Sequence, residues 1–78
     1  MQEISQLIRE KVITKMDAVI YYHLENTGKY YNVEQLVFLL GFARDKLYLS
    51  LKKLTELGLI DKTEEHPARY YKENGKDN

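Results

Sequence analysis

The residues of this 78-residue chain best suited to chemistry with a charged partner are Arg44, Lys46, Lys52 and Lys53, which share the span 44–53 with one acid, Asp45. Ammonium and guanidinium groups at that density neutralise phosphates, and a guanidinium can also fork onto the edge of a guanine. Tyr48 and Leu49 lie between them. A phenol donates to a phosphate, and either side chain can meet a thymine methyl. The span 54–66 has the opposite balance, with Lys62 against Glu56, Asp61, Glu64 and Glu65. A formal net charge of zero therefore conceals a polarised chain, which is what contact with phosphates through one face requires.

Those residues need a rigid carrier. Leu47, Leu51, Leu54 and Leu57 recur every three or four positions, which predicts a helix over 43–57. With the leucines inward, Lys46, Lys53 and parts of Arg44, Tyr48, Leu49 and Lys52 point outward. Upstream, Asn32 and Gln35 have the spacing of a capping box, and Leu36, Leu39 and Leu40 continue it as a helix of about two turns that stops at Gly41. Two helices parted by a turn that holds a glycine make a helix-turn-helix pattern. After Gly58, the residues from Leu59 to Thr63 and from Arg69 to Lys72 read as two strands joined by a turn around Pro67. Lys29, Tyr30 and Tyr31 suffice for one short strand behind a stop at Gly28.

Toward the N-terminus, Ile4, Leu7, Ile8 and Val12 mark one helical face over 4–12, and Met16, Val19 and Ile20 with His23 or Leu24 mark a second. Thr14 and Asp17 would cap the second helix separately. No Gly or Pro interrupts 4–26, however, so a single long helix satisfies the pattern too. The expected core is Met16, Val19, Ile20, Leu36, Leu40, Leu47, Leu51 and Leu54.

The length supports one domain, and ordinary globular usage (44% hydrophobic, 31% charged) disfavours disordered and membrane-spanning classes. Without cysteine there is no disulfide and no thiolate metal site, and two histidines far apart in sequence make a poor metal argument. No cofactor is expected. No Gly-rich phosphate loop, Cys nucleophile or Ser/His constellation is present, so an enzyme is not expected either. The absence of a long apolar run and of a basic-then-apolar N-terminus predicts a cytoplasmic protein with no membrane partner. Tyr21, Tyr22, Tyr30, Tyr31, Tyr70 and Tyr71 are read as packing rather than as stacking platforms, and His23 as a satisfied core or edge residue. The polar stretch 73–78 is expected to fray.

Two motifs carry a family resemblance. The run Gly41-Phe42-Ala43-Arg44-Asp45-Lys46-Leu47-Tyr48 leads through Leu51-Lys52-Lys53-Leu54 to Glu56-Leu57-Gly58-Leu59-Ile60, and His66-Pro67-Ala68-Arg69-Tyr70-Tyr71 closes it. This order resembles the winged helix-turn-helix of MarR and archaeal TrmB-type transcriptional regulators over about residues 14–72. The resemblance implies a fold that is mainly α with a small β-hairpin (α+β), here with an extra N-terminal helix. It also implies a stand-alone DNA-binding module of archaeal or viral type. The sugar-binding domain of full-length TrmB-type regulators has no counterpart, so no small-molecule effector is expected.

On that frame the expected function is a sequence-specific double-stranded DNA binder that regulates transcription. Helix 43–57 would read the major groove and the hairpin at about 59–72 would meet the flanking backbone. Arg44 and Lys46 are the candidates for bases or phosphates, Tyr48 and Leu49 for phosphate or thymine methyl, and Lys52 and Lys53 for the backbone. Arg69, with His66 and Lys62, would reach the neighbouring minor groove or its phosphates. Residues 1–13 are expected to pair with a second copy, giving a homodimer whose two reading helices stand roughly 34 Å apart, one turn of DNA. The competing reading has this helix lid its own domain. Leu49 on the reading face, and Glu64 with Glu65 at the hairpin tip, fit DNA poorly and favour a rival reading as a protein-interaction module or a subunit of a larger complex.

Overall fold

A computed structural model of the chain describes residues 4–73, so the tail expected to fray lies, apart from Glu73, outside the described residues. Four helices, α1 (Ile4–Arg9), α2 (Lys15–Thr27), α3 (Val33–Leu40) and α4 (Arg44–Glu56), precede two strands, β1 (Asp61–Lys62) and β2 (Tyr70–Tyr71). The chain is thus mainly helical with a small antiparallel hairpin, an α+β architecture. No described helix is long and apolar enough to cross a membrane.

Local chemistry sets the boundaries. At the head of α2 the Thr14 hydroxyl accepts from the Asp17 N–H at 3.1 Å while the Asp17 carboxylate accepts from the Thr14 N–H at 2.9 Å. That reciprocal cap starts a new helix, and α1 has already closed before it. Lys11 takes a left-handed conformation (φ 61°), its N–H donating to Ile8 O and that of Val12 to Leu7 O, the two bonds of a Schellman ending. The same reciprocal cap joins Asn32 and Gln35 at α3. At the other end of α4, Gly58 (φ 76°) closes the helix and the Leu59 N–H returns to Leu54 O. Leu59 therefore belongs to the helix ending, and the strand expected from Leu59 begins only at Asp61.

Asp61 pairs with Tyr71 and Lys62 with Tyr70, so the returning strand is shorter than the expected 69–72. The segment expected as a strand at 29–31 contributes a single bridge. Tyr31 and Tyr70 exchange both backbone hydrogen bonds, at 3.0 and 2.7 Å, and tie the α2–α3 connection to the hairpin.

The core sits between α2, α3 and α4, with α4 packed on both of the others. Ile20, Leu24, Leu36, Leu47, Leu51, Leu54 and Ile60 are fully buried, while Met16 and Leu40 pack at its edge. Two expectations need correction. Val19 is 48% exposed, because α2 is rotated to bury Asp17, Ala18, Ile20, Tyr21 and Leu24 instead. The α1 face expected to meet a second copy is already in use: Ile4, Leu7 and Ile13 are buried in the chain's own core, and Ile8 packs against it. The helix lids its own domain, and only Val12 of the expected face is left exposed.

Asp17 is the one charged group in that core, 1% exposed. Burial pushes its carboxyl up, but hydrogen bonds from Lys53, Ser50 and the Thr14 N–H, with the Lys53 charge, outweigh it and hold the group below its ordinary 3.8. A depressed carboxylate stabilises the fold above its unfolded pKa and loses that contribution as pH falls through the folded value. Asp17→Asn is therefore expected to cost about 1.5 to 3 kcal/mol at pH 7, the range for hydrogen bonds to a charged group. The cost should shrink as pH drops below 3.8. Urea titrations of both proteins at pH 7, 4 and 3 measure it, and a difference that does not vary with pH contradicts the assignment.

Candidate nucleic-acid interface

Three residues, 41–43, separate α3 from α4, and Gly41 (φ 76°) supplies the left-handed step that lets the chain reverse so soon. Leu47, Leu51 and Leu54 anchor α4 inward, which leaves Arg44, Asp45, Lys46, Tyr48, Leu49 and Lys52 exposed. Arg44, Tyr48 and Lys52 stand four residues apart and form one stripe on the helix. That stripe faces the hairpin across a groove of about 700 Å³, whose walls include Val33 and Glu34 of α3, Arg44 and Tyr48 of α4, and Lys62 and Tyr70 of the hairpin. A narrower extension of about 160 Å³ runs on past Tyr48 to Lys52 and Glu56, again with Lys62 and Tyr70 opposite. Burial raises the pKa of the Tyr70 phenol, with Tyr48 adding to the effect, so the hydroxyl remains protonated.

The cations on this face fall into two groups. Lys46, Lys52 and Lys62 are exposed and make no ion pair among the described residues. The other three expected contacts are engaged. Arg44 meets Glu34 of α3 at 2.7 Å, both side chains remaining exposed, and Arg69 meets Glu65 of its own turn at 3.1 Å. Lys53 turns away from the groove altogether, its Nζ lying 2.7 Å from the buried Asp17 carboxylate. Lys53, expected on a nucleic-acid backbone, is hydrogen-bonded instead to a buried carboxylate, with its side chain still 40% exposed.

Sequence reading missed Glu34, which stands ten residues before its partner on another helix, and treated Lys62 as an accessory although it lines both parts of the groove. An exposed pair such as Arg44–Glu34 is worth only about 0.2 to 1 kcal/mol, so an arriving phosphate can displace the carboxylate. Glu34→Gln removes that competitor. If this face binds duplex DNA, the substitution tightens that binding by about 1.4- to fivefold, the same energy expressed as an equilibrium constant. Fluorescence anisotropy with labelled duplex reads it; weaker binding by the variant would show that Glu34 does not compete for Arg44.

Elsewhere on the surface, aromatic and apolar groups are arranged in two ways. Tyr30 and Tyr71 stack at 4.3 Å between ring centroids, and Tyr21 and Tyr70 are in the core, which accounts for four of the tyrosines as packing. Tyr22, about as exposed as Tyr30, meets the Tyr21 ring edge-on at 5.3 Å between centroids. His23 departs from its expected satisfied state. Its ring lies 5.1 Å from that of Tyr31, and the buried Nε2 has no hydrogen-bond partner among the described residues. On α3, Phe38 is 86% exposed and Leu39 half exposed, and with Tyr31, Glu34 and Gln35 they line a shallow depression.

Comparison with protein-family models, with curated proteins and with solved structures returns no match to the chain.

Proposed function

We propose that the chain is a winged helix-turn-helix that binds double-stranded DNA and regulates transcription, with α4 as the reading helix and the hairpin as the wing. The observation that carries this reading is the outward face of α4. Lys46, Tyr48 and Lys52 project from a helix held against the core by buried leucines, three residues after a shorter helix, and Lys62 stands opposite on the hairpin. A helix presented in that way has the shape that enters a major groove, and free ammonium groups on both sides of a groove suit the phosphates that flank it. Arg44 joins them on release from Glu34, and Arg69 on release from Glu65. Leu49, 62% exposed, suits a thymine methyl. Lys53, held by Asp17, is left out of the proposed phosphate contacts.

Selection from a random duplex library, followed by titration of the selected and a scrambled duplex between 50 and 200 mM salt, tests the proposal. A homodimer making about six to ten phosphate contacts loses roughly 10³- to 10⁵-fold in affinity over that range. Absence of duplex binding, or binding indifferent to salt, overturns it.

Phe38 and Leu39 favour a second reading. Large apolar groups exposed side by side on a small domain mark a surface that meets protein, whether a second copy or another chain. Because α1 is already buried at home, any homodimer belonging to the proposal has to use such a surface. Light scattering of the wild type and of Phe38→Ser distinguishes the cases: a dimer that the substitution dissolves places the two-fold contact on α3, and a monomer in both leaves the patch to a different protein.

A further inference from the structure

We propose that Asp17 and Lys53 form a positioning clamp that fixes the rotation of α4 about its own axis and so decides which of its side chains face outward. The consequence for DNA rests on the function proposed above, but the clamp itself does not.

Asp17 needs only one oxygen to accept from the Thr14 N–H, and an uncharged amide does the same work at α3, where Gln35 accepts from the Asn32 N–H. A buried carboxylate is a costly way to do it, and a buried pair is a weak source of stability compared with apolar packing. What the charge adds is direction. Oδ2 of Asp17 accepts both from the Thr14 N–H at 2.9 Å and from Lys53 Nζ at 2.7 Å, so one atom joins the head of α2 to the third turn of α4. Ser50, one turn earlier on α4, is buried as well and helps to hold the Asp17 carboxyl below its ordinary value. Around it the α2–α4 contact is built from Ile20, Leu24, Leu47, Leu51 and Leu54, side chains that specify burial but not a unique rotation. A charge-assisted hydrogen bond of this length is far less tolerant of sliding.

Neighbouring residues on a helix stand about 100° apart. Drawing Lys53 toward α2 therefore directs Lys52 away from it, and Tyr48, one turn before Lys52, to the same side. Lys52 and Tyr48 are the residues that line the groove beside the hairpin. Without the clamp, a modest turn of α4 on its leucine seam would carry Tyr48 and Lys52 off the line of the hairpin groove.

Lys53→Met and Lys53→Arg test the clamp, the first removing the charge at similar length and the second keeping it. Backbone amide residual dipolar couplings report the orientation of α4 relative to α2 and α3 in the free protein. The clamp predicts altered couplings confined to α4 in Lys53→Met and wild-type values in Lys53→Arg. On DNA, Lys53→Met should lower the ratio of affinities for selected and scrambled duplex by about tenfold, within what one lost base contact costs, with the salt slope unchanged. Lys53→Arg should restore the ratio. Unaltered couplings in Lys53→Met overturn the clamp, as does a salt slope lower by about one, which would make Lys53 a phosphate contact. Should Lys53→Met fail to fold, Lys53→Gln and Asp17→Asn take the same measurements. If the wild type binds no duplex, the proposed function falls and the couplings alone decide the clamp.

Discussion

A chain carrying Lys46→Glu and Lys52→Glu is expected to fold as the wild type does and to lose roughly sixtyfold in duplex affinity for each bound protomer at 0.1 M salt. The estimate follows from counterion release: affinity varies with salt to about the power 0.9 per phosphate contact, so two lost contacts per protomer cost about 10 to the power 1.8 each time at that concentration. Repulsion by the new carboxylates adds to this. The salt slope should fall by about two per bound protomer. Both lysines are exposed and make no ion pair among the described residues, so their replacement breaks no internal contact, and stability should stay within about 0.5 kcal/mol per substitution. That separation between binding and folding gives the experiment its force. The matching substitution at Lys53 cannot provide it, because Lys53→Glu sets a second carboxylate against the buried Asp17 and unfolds what it is meant to probe. Anisotropy titrations and thermal melts of the same preparation measure the two effects. Full duplex affinity in the double variant would remove α4 as the reading helix.

The difference between these lysines shows where the sequence was legible and where it was not. Short-range patterns carried well. The capping pairs Thr14–Asp17 and Asn32–Gln35 and the stops at Gly28, Gly41 and Gly58 all depend on atoms within five residues of one another, and the structure has each of them. The helix expected over 43–57 is observed over Arg44–Glu56 for the same reason. Apolar spacing was less decisive on α2, which carries Val19 and Tyr22 outside as well as Ile20 and Leu24 inside. Periodicity alone could not choose between those faces, and the burial of Asp17 against Lys53 has no local signal. The partners of the cations could not be read at all. Glu34 lies on a different helix from Arg44, and Asp17 is 36 residues from Lys53, so each pair exists only because the helices pack as they do. A local balance of charge therefore overstated the cations available: of the four expected on α4, Lys46 and Lys52 make no ion pair among the described residues.

Leu51→Ala and Leu49→Ala should have opposite consequences although they stand two residues apart on α4. Leu51 is fully buried where α4 packs between α2 and α3, whereas Leu49 is exposed. Truncating a fully buried leucine costs about 2 to 5 kcal/mol through lost transfer energy and the cavity left behind. A chain of this length is stabilised by roughly 4 to 12 kcal/mol in total, so the substitution consumes a large share of it. The melting temperature should fall by roughly 8 to 40 °C, at 4 to 8 °C per kcal/mol for so small a domain. Leu49→Ala should leave it nearly unchanged and act on duplex affinity, since an apolar group on the outer face of α4 has only a partner to touch. Thermal melts followed by circular dichroism, with anisotropy on the same samples, test the pair. A large stability loss from Leu49→Ala would mean that α4 sits at a different rotation, turning Leu49 inward and the Lys46 and Lys52 surface away from any groove.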